Sequence, residues 1–281
     1  DPDHPWTRRS FTSRFLEGRD WLATEFRAAG LETRIDAGGN LIGRRPGAMT
    51  GLKPILAGSH SDTVPSGGRY DGILGLVAAL EVASLLQDSG VRLRHTFDVV
   101  DFLAEEPSEF GLSCVGSRAM AGALTADDLN RRRPDGMTLA QGLRFVGGDP
   151  DRVLGEARPA EAIAAYVELH IEQGRILESE DVPIGIVTDI VGIRRELWTI
   201  EGRADHSGAT PMHLRKDALV GAAQVIAAAH VAALAAPRHQ PLVATIGHLT
   251  VEPNASNAVP GKVALILEVR SGDDTAVRAF G

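Results

Sequence analysis

Apolar residues recur along the chain with two different periods, and each change of period marks a predicted element. They fall at Phe15, Leu22, Phe26 and Ala29, one face of a helix over 15–29 with Gly30 as its stop. Two strand-like runs follow, around 31–35 and 41–44, split by the hairpin-type turn Ala37-Gly38-Gly39-Asn40. The stretch 54–58 is short and apolar, a buried-strand candidate. A glycine-rich segment, 66–72, opens a helix over 73–86 that is apolar on nearly every side and predicted to be interior. Residues 96–104 read as a buried strand that ends abruptly in Glu105 and Glu106. The segment 142–158 reads as an irregular connection, and 164–170 as another strand. Strands alternating with helices predict an α/β sheet. His60, the Glu pair and His170 fall at three strand ends, where open α/β sheets gather ligands.

The texture changes after Val191-Gly192. Strand-like 197–202, an alanine-rich helix over 216–235, and strand-like 242–249 and 262–270 follow in the order β-α-β-β. That order begins a ferredoxin-like unit, whose last helix and strand are expected beyond Gly281. The domain boundary is therefore placed near Gly192, giving domains 1–192 and 193–281.

Composition narrows the function classes. A chain of 281 residues holds one large domain or two smaller ones, and its 43% hydrophobic and 23% charged residues suit a soluble globular protein. A net charge of −8 argues against general affinity for nucleic acid or anionic membrane. The one basic run, Arg131-Arg132-Arg133, precedes Pro134-Asp135-Gly136 and reads as a solvated loop. The single cysteine, Cys114, excludes an intrachain disulfide and suits a reducing compartment; it reads as a buried small residue. No apolar stretch reaches the roughly 18–20 residues of a membrane span. The opening Asp1-Pro2-Asp3-His4-Pro5 lacks a signal peptide's basic and apolar regions, so a cytoplasmic location is expected.

Four short stretches carry chemistry, each with a plainer alternative. In GSHSDT, His60 and Asp62 share a face of an extended segment, so the carboxylate can orient an imidazole that binds a metal; a surface hydrogen bond is the alternative. In GGRYDGILG, Asp71 either caps the following helix or ligates an ion. In AEEP, Glu105 and Glu106 are either an exposed acidic turn or a pair reconciled by a divalent cation, one carboxylate binding it and the other acting as general base. In ELHIEQG, His170 is a core histidine or a ligand, followed by Glu172 and Gln173. One shared metal site accounts for all four stretches, since His, Asp and Glu are the N and O donors suited to zinc and similar ions. No G-x-S-x-G elbow, P-loop or G-x-G-x-x-G fingerprint occurs, and adjacent Asp205-His206-Ser207 cannot form a spaced triad.

Taken in order, GSHSDTVPSGGRYDGILG, EEPSEFG, ELHIEQG, ADHSGATPMHLRKDAL and VEPNASNAVPG resemble the metal-dependent amidohydrolases of the carbamoylase type. That group comprises N-carbamoyl-L-amino-acid hydrolases, β-ureidopropionases and allantoate amidohydrolases, within the clan of dinuclear-zinc aminoacylases and carboxypeptidases. The resemblance covers nearly the whole chain, from about Asp20 to Arg270. It implies a zinc-peptidase-like α/β catalytic domain with an inserted, smaller ferredoxin-like α+β lid or dimerisation domain, here incomplete at the C-terminus. It implies that His60 and His170 bind one metal, Asp71 bridges two, Glu106 binds the second, and Glu105 is the general base, with Asp62 orienting His60. It further implies that His206 and Asn257 hold and polarise the scissile carbonyl, typically across a dimer interface, that Arg270 clamps a substrate carboxylate, and that Gln173 contacts substrate. The residues alone also allow Arg270 as an exposed strand residue and Asn257 as a turn former.

The implied cofactor is a pair of divalent ions, zinc first, with manganese, nickel and cobalt also accepting such ligands. The implied partners are a small carboxylate-bearing substrate and a second copy of the chain. Two departures from the family pattern stand out. Pro107-Ser108-Glu109 follow Glu106 where many members have Gly and a basic residue, which leaves the substrate open. The family's fifth metal ligand, a His from a later segment, is expected beyond Gly281, and the opening also begins later than in a typical member, so the chain reads as a fragment. The expected reaction is hydrolysis of an N-carbamoyl-L-amino acid to amino acid, ammonia and carbon dioxide. Its alternatives are allantoate hydrolysis, an inactive metal-binding remnant, and an aminopeptidase of the wider clan.

Overall fold

The amphipathic pattern at 15–29 forms helix α1, Ser13–Ala28, started by Thr12, whose side chain accepts from the Phe15 amide. The protein is described from a computed structural model, which places residues 6–237 and 241–280. The chain divides into two compact units, Asp1–Asp181 and Val182–Gly281.

In the first unit α1 is followed by β1 (Glu32–Ile35), β2 (Leu41–Arg45), β3 (Ile55–His60), α2 (Ile73–Asp88) and β4 (Phe97–Phe102). Then come α3 (Val115–Ala121), α4 (Ala126–Leu129), α5 (Leu139–Phe145), β5 (Ala165–Val167) and α6 (Ile176–Ser179). The predicted hairpin forms, with Ile35 opposite Leu41 across the 36–40 turn. The five strands make one mixed sheet in the order β1-β2-β4-β3-β5, in which β3 pairs parallel with both β4 and β5. Alternation along central β4 divides the core. Phe97 and Val99 pack with Leu22 and Phe26 of α1 and Leu76 of α2, while Val100 packs with Ile42, Leu56 and Met120 on the other side. A third cluster, with Phe15, Leu103, Val115, Leu139 and Leu143, lies where the chain leaves β4.

Four local expectations change. The connection read at 142–158 begins inside α5, which Thr138 and Gln141 start with a reciprocal capping box, and it includes a 3₁₀ turn at Val153–Gly155. The strand read at 164–170 is only Ala165–Val167, an edge strand paired with β3 alone, so His170 lies beyond it. Helix α2, expected to be interior, buries Leu76, Ala79 and Ala83 but leaves Leu74, Val77, Val82 and Leu85 exposed. Cys114 is half-buried rather than fully enclosed.

The second unit holds β6 (Gly192–Glu201), β7 (Asp205–His206), α7 (Ala218–Leu234), β8 (Leu242–Glu252), β9 (Ala258–Val259), β10 (Lys262–Ser271) and α8 (Asp274–Ala279). Gly192, where the sequence pattern changes, opens β6. The main sheet runs β6-β10-β8 with both pairs antiparallel. Ala218 and Ala222 of α7 cover one face, packing on Val263, Leu265, Trp198 and Ile200. No helix among the described residues is long and apolar enough to cross a membrane.

Candidate metal centre

Parallel pairing of β3 with β4 sets His60 opposite Phe102 and delivers the residues after both strands to one edge of the sheet. His60 is buried. Its Nδ1 lies 3.0 Å from the Asp62 backbone oxygen and 3.5 Å from Asp62 Oδ1, and its Nε2 lies 3.5 Å from Glu105 Oε2. His170 is held the same way, with Nδ1 2.9 Å from the Ile171 backbone oxygen and Nε2 3.3 Å from Asp71 Oδ1. A carbonyl oxygen only accepts, so each Nδ1 donates and each neutral ring keeps its lone pair on Nε2, the arrangement of a metal-ligating histidine. The two rings stack with centroids 5.8 Å apart. One donor atom each from His60, Asp71 and His170 lies within 4.8 Å of the others.

Asp71 sits in the loop that opens α2. Gly72, at φ 67°, lets that loop close on His60, since a Cβ there would stand 2.5 Å from His60 Nε2. Asp71 does not cap α2: no side chain does so, and its two oxygens instead accept from Gln173 Nε2 at 3.0 and 2.9 Å. Gln173 itself has a left-handed backbone at φ 57°. The Glu105 amide donates to Asp62 Oδ1 at 3.2 Å, so Asp62 ties His60 to the Glu pair. The Cys114 thiol lies 3.8 Å from Glu105 Oε1, and burial and that carboxylate both push its pKa up. Glu106 is not part of the close triplet. Burial, and then the charge of Glu105, raise its carboxyl above the usual range.

The donor set fits a divalent cation. The charges of Glu105 and Asp71 both act on Glu106, and among the described residues no arginine or lysine forms an ion pair with any of the three. Desolvation and like-charge repulsion oppose ionisation of Glu106 unless positive charge enters. His60 supplies part of it: burial lowers its pKa, but the Asp62 hydrogen bond and the charges of Asp62 and Glu105 outweigh burial and push it up to about 9. Without metal, the protonated ring therefore stabilises the fold fully below its ordinary value of 6.5, a contribution lost as pH rises through 9. Metal uptake runs the opposite way, because a ligand must give up its proton. Binding near pH 7 should release about one proton from His60 and strengthen as pH rises toward 9, which calorimetry in buffers of different ionisation enthalpy will read.

The remaining predicted site residues belong to the second unit. The His206 Nδ1 accepts from the Gly208 and Ala209 amides at 3.1 and 3.2 Å, so the neutral ring carries its proton on Nε2 and presents a donor. Asn257 is exposed on the segment before β9, its backbone oxygen accepting from the Ser207 amide at 3.0 Å, which brings the two motifs together. Arg270 stands on β10, half-exposed, with Nε 2.7 Å from Glu268 Oε1; Glu268 also accepts from Arg195. Sequence patterns give no sign of the Gln173–Asp71 or Cys114–Glu105 contacts. Glu268, two residues before Arg270 in an extended strand, was open to the same-face argument that pairs His60 with Asp62.

The sequence pattern of peptidase family M20/M25/M40 matches residues 56–261. An N-carbamoyl-L-amino acid amidohydrolase of Geobacillus stearothermophilus is 44% identical over 264 residues, 94% of this chain and 64% of that protein. An allantoate amidohydrolase of Bacillus subtilis is 36% identical, over 98% of this chain and 66% of that protein. The crystal structure of a hydantoinase/carbamoylase family amidase from Burkholderia ambifaria superposes with a TM-score of 0.84 at 38% identity, covering 98% of this chain and 66% of that one. The chain thus spans just under two thirds of the length of these relatives.

Proposed function

Because the chain belongs to peptidase family M20/M25/M40, we propose that it is a metal-dependent amidohydrolase that cleaves the ureido C–N bond of an N-carbamoyl-L-amino acid. The observation that carries this reading is the convergence of His60, Asp71 and His170 beside a Glu pair that, among the described residues, forms no ion pair with an arginine or lysine. Its choice of substrate is supported by the 44% identity to the Geobacillus amidohydrolase, against 36% to the allantoate enzyme.

In this reading two divalent ions, zinc first, would be held by His60, Asp71 and His170 together with Glu106. Divalent ions supply Lewis acidity and lower the pKa of bound water to about 7. The remaining work falls to side chains. Glu105 takes the proton from the attacking water and returns it to the leaving nitrogen. Asp62 fixes the ring of His60, and Gln173 holds the Asp71 carboxylate. His206, through Nε2–H, and Asn257 are the donors to the carbonyl oxygen as negative charge develops there. Arg270 is the anchor for the substrate carboxylate. Water adds to the ureido carbon, the C–N bond to the amino acid breaks, and the released carbamate yields ammonia and carbon dioxide.

The same proposal gives residues 1–192 the catalytic role and makes 193–281 a ferredoxin-like lid, a reading supported by the β-α-β-β order and the β6-β10-β8 sheet. That unit would also pair with a second copy. Exposed Ile193, Leu197 and Val243 on the sheet face away from α7 support such pairing. A single cysteine suits the cytoplasm.

Purified protein assayed with a panel of N-carbamoyl amino acids, allantoate and dipeptides tests the reading. Preference for a carbamoyl amino acid is expected, and preference for allantoate would move the assignment to the alternative; turnover of dipeptides alone would discard both. Removing metal with a chelator should abolish turnover, and added zinc, manganese, nickel or cobalt should restore it.

A further inference from the structure

The carboxylates of Glu105 and Glu106 hang on a stretch of chain that has already left the sheet, and something must hold it. We propose that Asn40 is a positioning residue for this pair; its kinetic consequence rests on the hydrolase reading, its structural one does not.

After β4 the chain runs antiparallel to the entrance of α3. The Gly116, Val115 and Cys114 amides donate to the backbone oxygens of Leu103, Ala104 and Glu105 at 2.8, 3.1 and 2.9 Å. The next bond of this ladder would run from the Leu103 amide to the Gly116 oxygen. The side chain of Asn40 is inserted there instead: Leu103 N donates to Asn40 Oδ1 at 3.0 Å, and Asn40 Nδ2 donates to the Gly116 oxygen at 3.0 Å. One side-chain amide thus stands in for a peptide group and closes the ladder at both strands. A Cβ on Gly116 would lie 1.9 Å from Asn40 Oδ1, so only glycine admits this insertion.

Asn40 is itself fixed. It is fully buried at the end of the β1–β2 turn. Its backbone amide and Nδ2 each donate to an oxygen of Asp36, both at 2.9 Å. The two protons of Nδ2 are therefore spent on Asp36 and Gly116, and Oδ1 is left for Leu103, which settles the orientation of the amide. The ladder it closes carries two non-glycine residues in the left-handed region, Ala104 at φ 48° and Cys114 at φ 56°. Such conformations persist only where the surroundings over-determine them. They are what turns the chain sharply after Leu103 and sets Glu105 Oε2 3.5 Å from His60 Nε2.

Asn40→Asp tests the assignment with little change in volume: it keeps an acceptor for Leu103 N, loses the donor to Gly116 and sets a second carboxylate against Asp36. Amide hydrogen exchange at 103–105 and 114–116 should quicken about tenfold or more while α1 and β3 are little changed. By analogy with losing an outer-shell partner, kcat should fall about 10–100-fold with KM nearly constant. Leu22→Ala, a core substitution in α1 away from the pair, is the control: at a matched loss of Tm its kcat should stay within about twofold of the wild type. Should Asn40→Asp not fold, Asn40→Ser is read the same way. Unchanged exchange at 103–116, or equal kcat losses in Asn40→Asp and Leu22→Ala, overturns the positioning role. A wild-type protein that hydrolyses no ureido substrate overturns the hydrolase reading instead, and the exchange result then decides for or against Asn40 by itself.

Discussion

Glu105→Gln should lower kcat by about 10²–10⁴-fold while leaving metal content unchanged, since general acid–base groups contribute on that order. Glutamine keeps the volume and the hydrogen-bonding reach of the side chain but cannot take up a proton. Glu105 stands outside the His60–Asp71–His170 triplet, so the substitution removes no donor from it. Its carboxylate is partly open to solvent and lies 3.5 Å from His60 Nε2, close enough to serve a water held at the centre. The measurement is steady-state kinetics beside elemental analysis. Retained activity would remove Glu105 from the role of base, and lost metal would make it a ligand instead.

The largest stability effect belongs to a pair behind the site. Arg19, buried in α1, donates from Nε to Asp101 Oδ2 at 2.9 Å, from Nη2 to the Asp101 backbone oxygen at 3.0 Å and from Nη1 to the Gly39 backbone oxygen. Its guanidinium also lies 4.7 Å from the centre of the Phe15 ring. Asp101 is wholly enclosed, with Ser61 Oγ donating to the same Oδ2 at 3.0 Å and Oδ1 lacking a partner among the described residues. Burial pushes its carboxyl pKa up, and Arg19 is the main opposing influence. Removing one member of a buried pair leaves an uncompensated charge and typically costs about 3–5 kcal/mol. Arg19→Met is therefore expected to destabilise the protein by about that much, read from denaturant melts. The deficit should shrink as pH falls, because a carboxyl whose folded pKa is raised is penalised only when ionised. Replacing both residues, as Arg19→Met with Asp101→Leu, should recover much of the loss.

The sequence disclosed most where chemistry or period was local. Helix α1, the β1–β2 hairpin and α7 follow from spacing and turn residues within short windows. So do the positions of His60 and His170, which close or follow apolar runs, and of Asp71, which stands in the glycine-rich loop that opens one. What stayed hidden depends on partners distant along the chain. Arg19 meets Asp101 across 82 positions and Gln173 meets Asp71 across 102, and no period or motif links them. Edge pairing trimmed β5 to three residues, since an apolar run does not reveal how much of it a neighbour will pair. The exposed side of α2 was legible only in Glu81, which stands at helical spacing with exposed Leu74, Val77 and Leu85; the apolar residues around it carry no mark of which face is covered. The capping box of α5 was legible in Thr138 and Gln141, and reading it would have placed that helix.

Whether His60, Asp71 and His170 share an ion is tested most directly by anomalous diffraction from zinc-loaded crystals. A zinc peak is predicted about 2.0–2.2 Å from the Nε2 atoms of His60 and His170 and from an oxygen of Asp71. A peak elsewhere, or none at saturating zinc with the three side chains ordered as described, would contradict it.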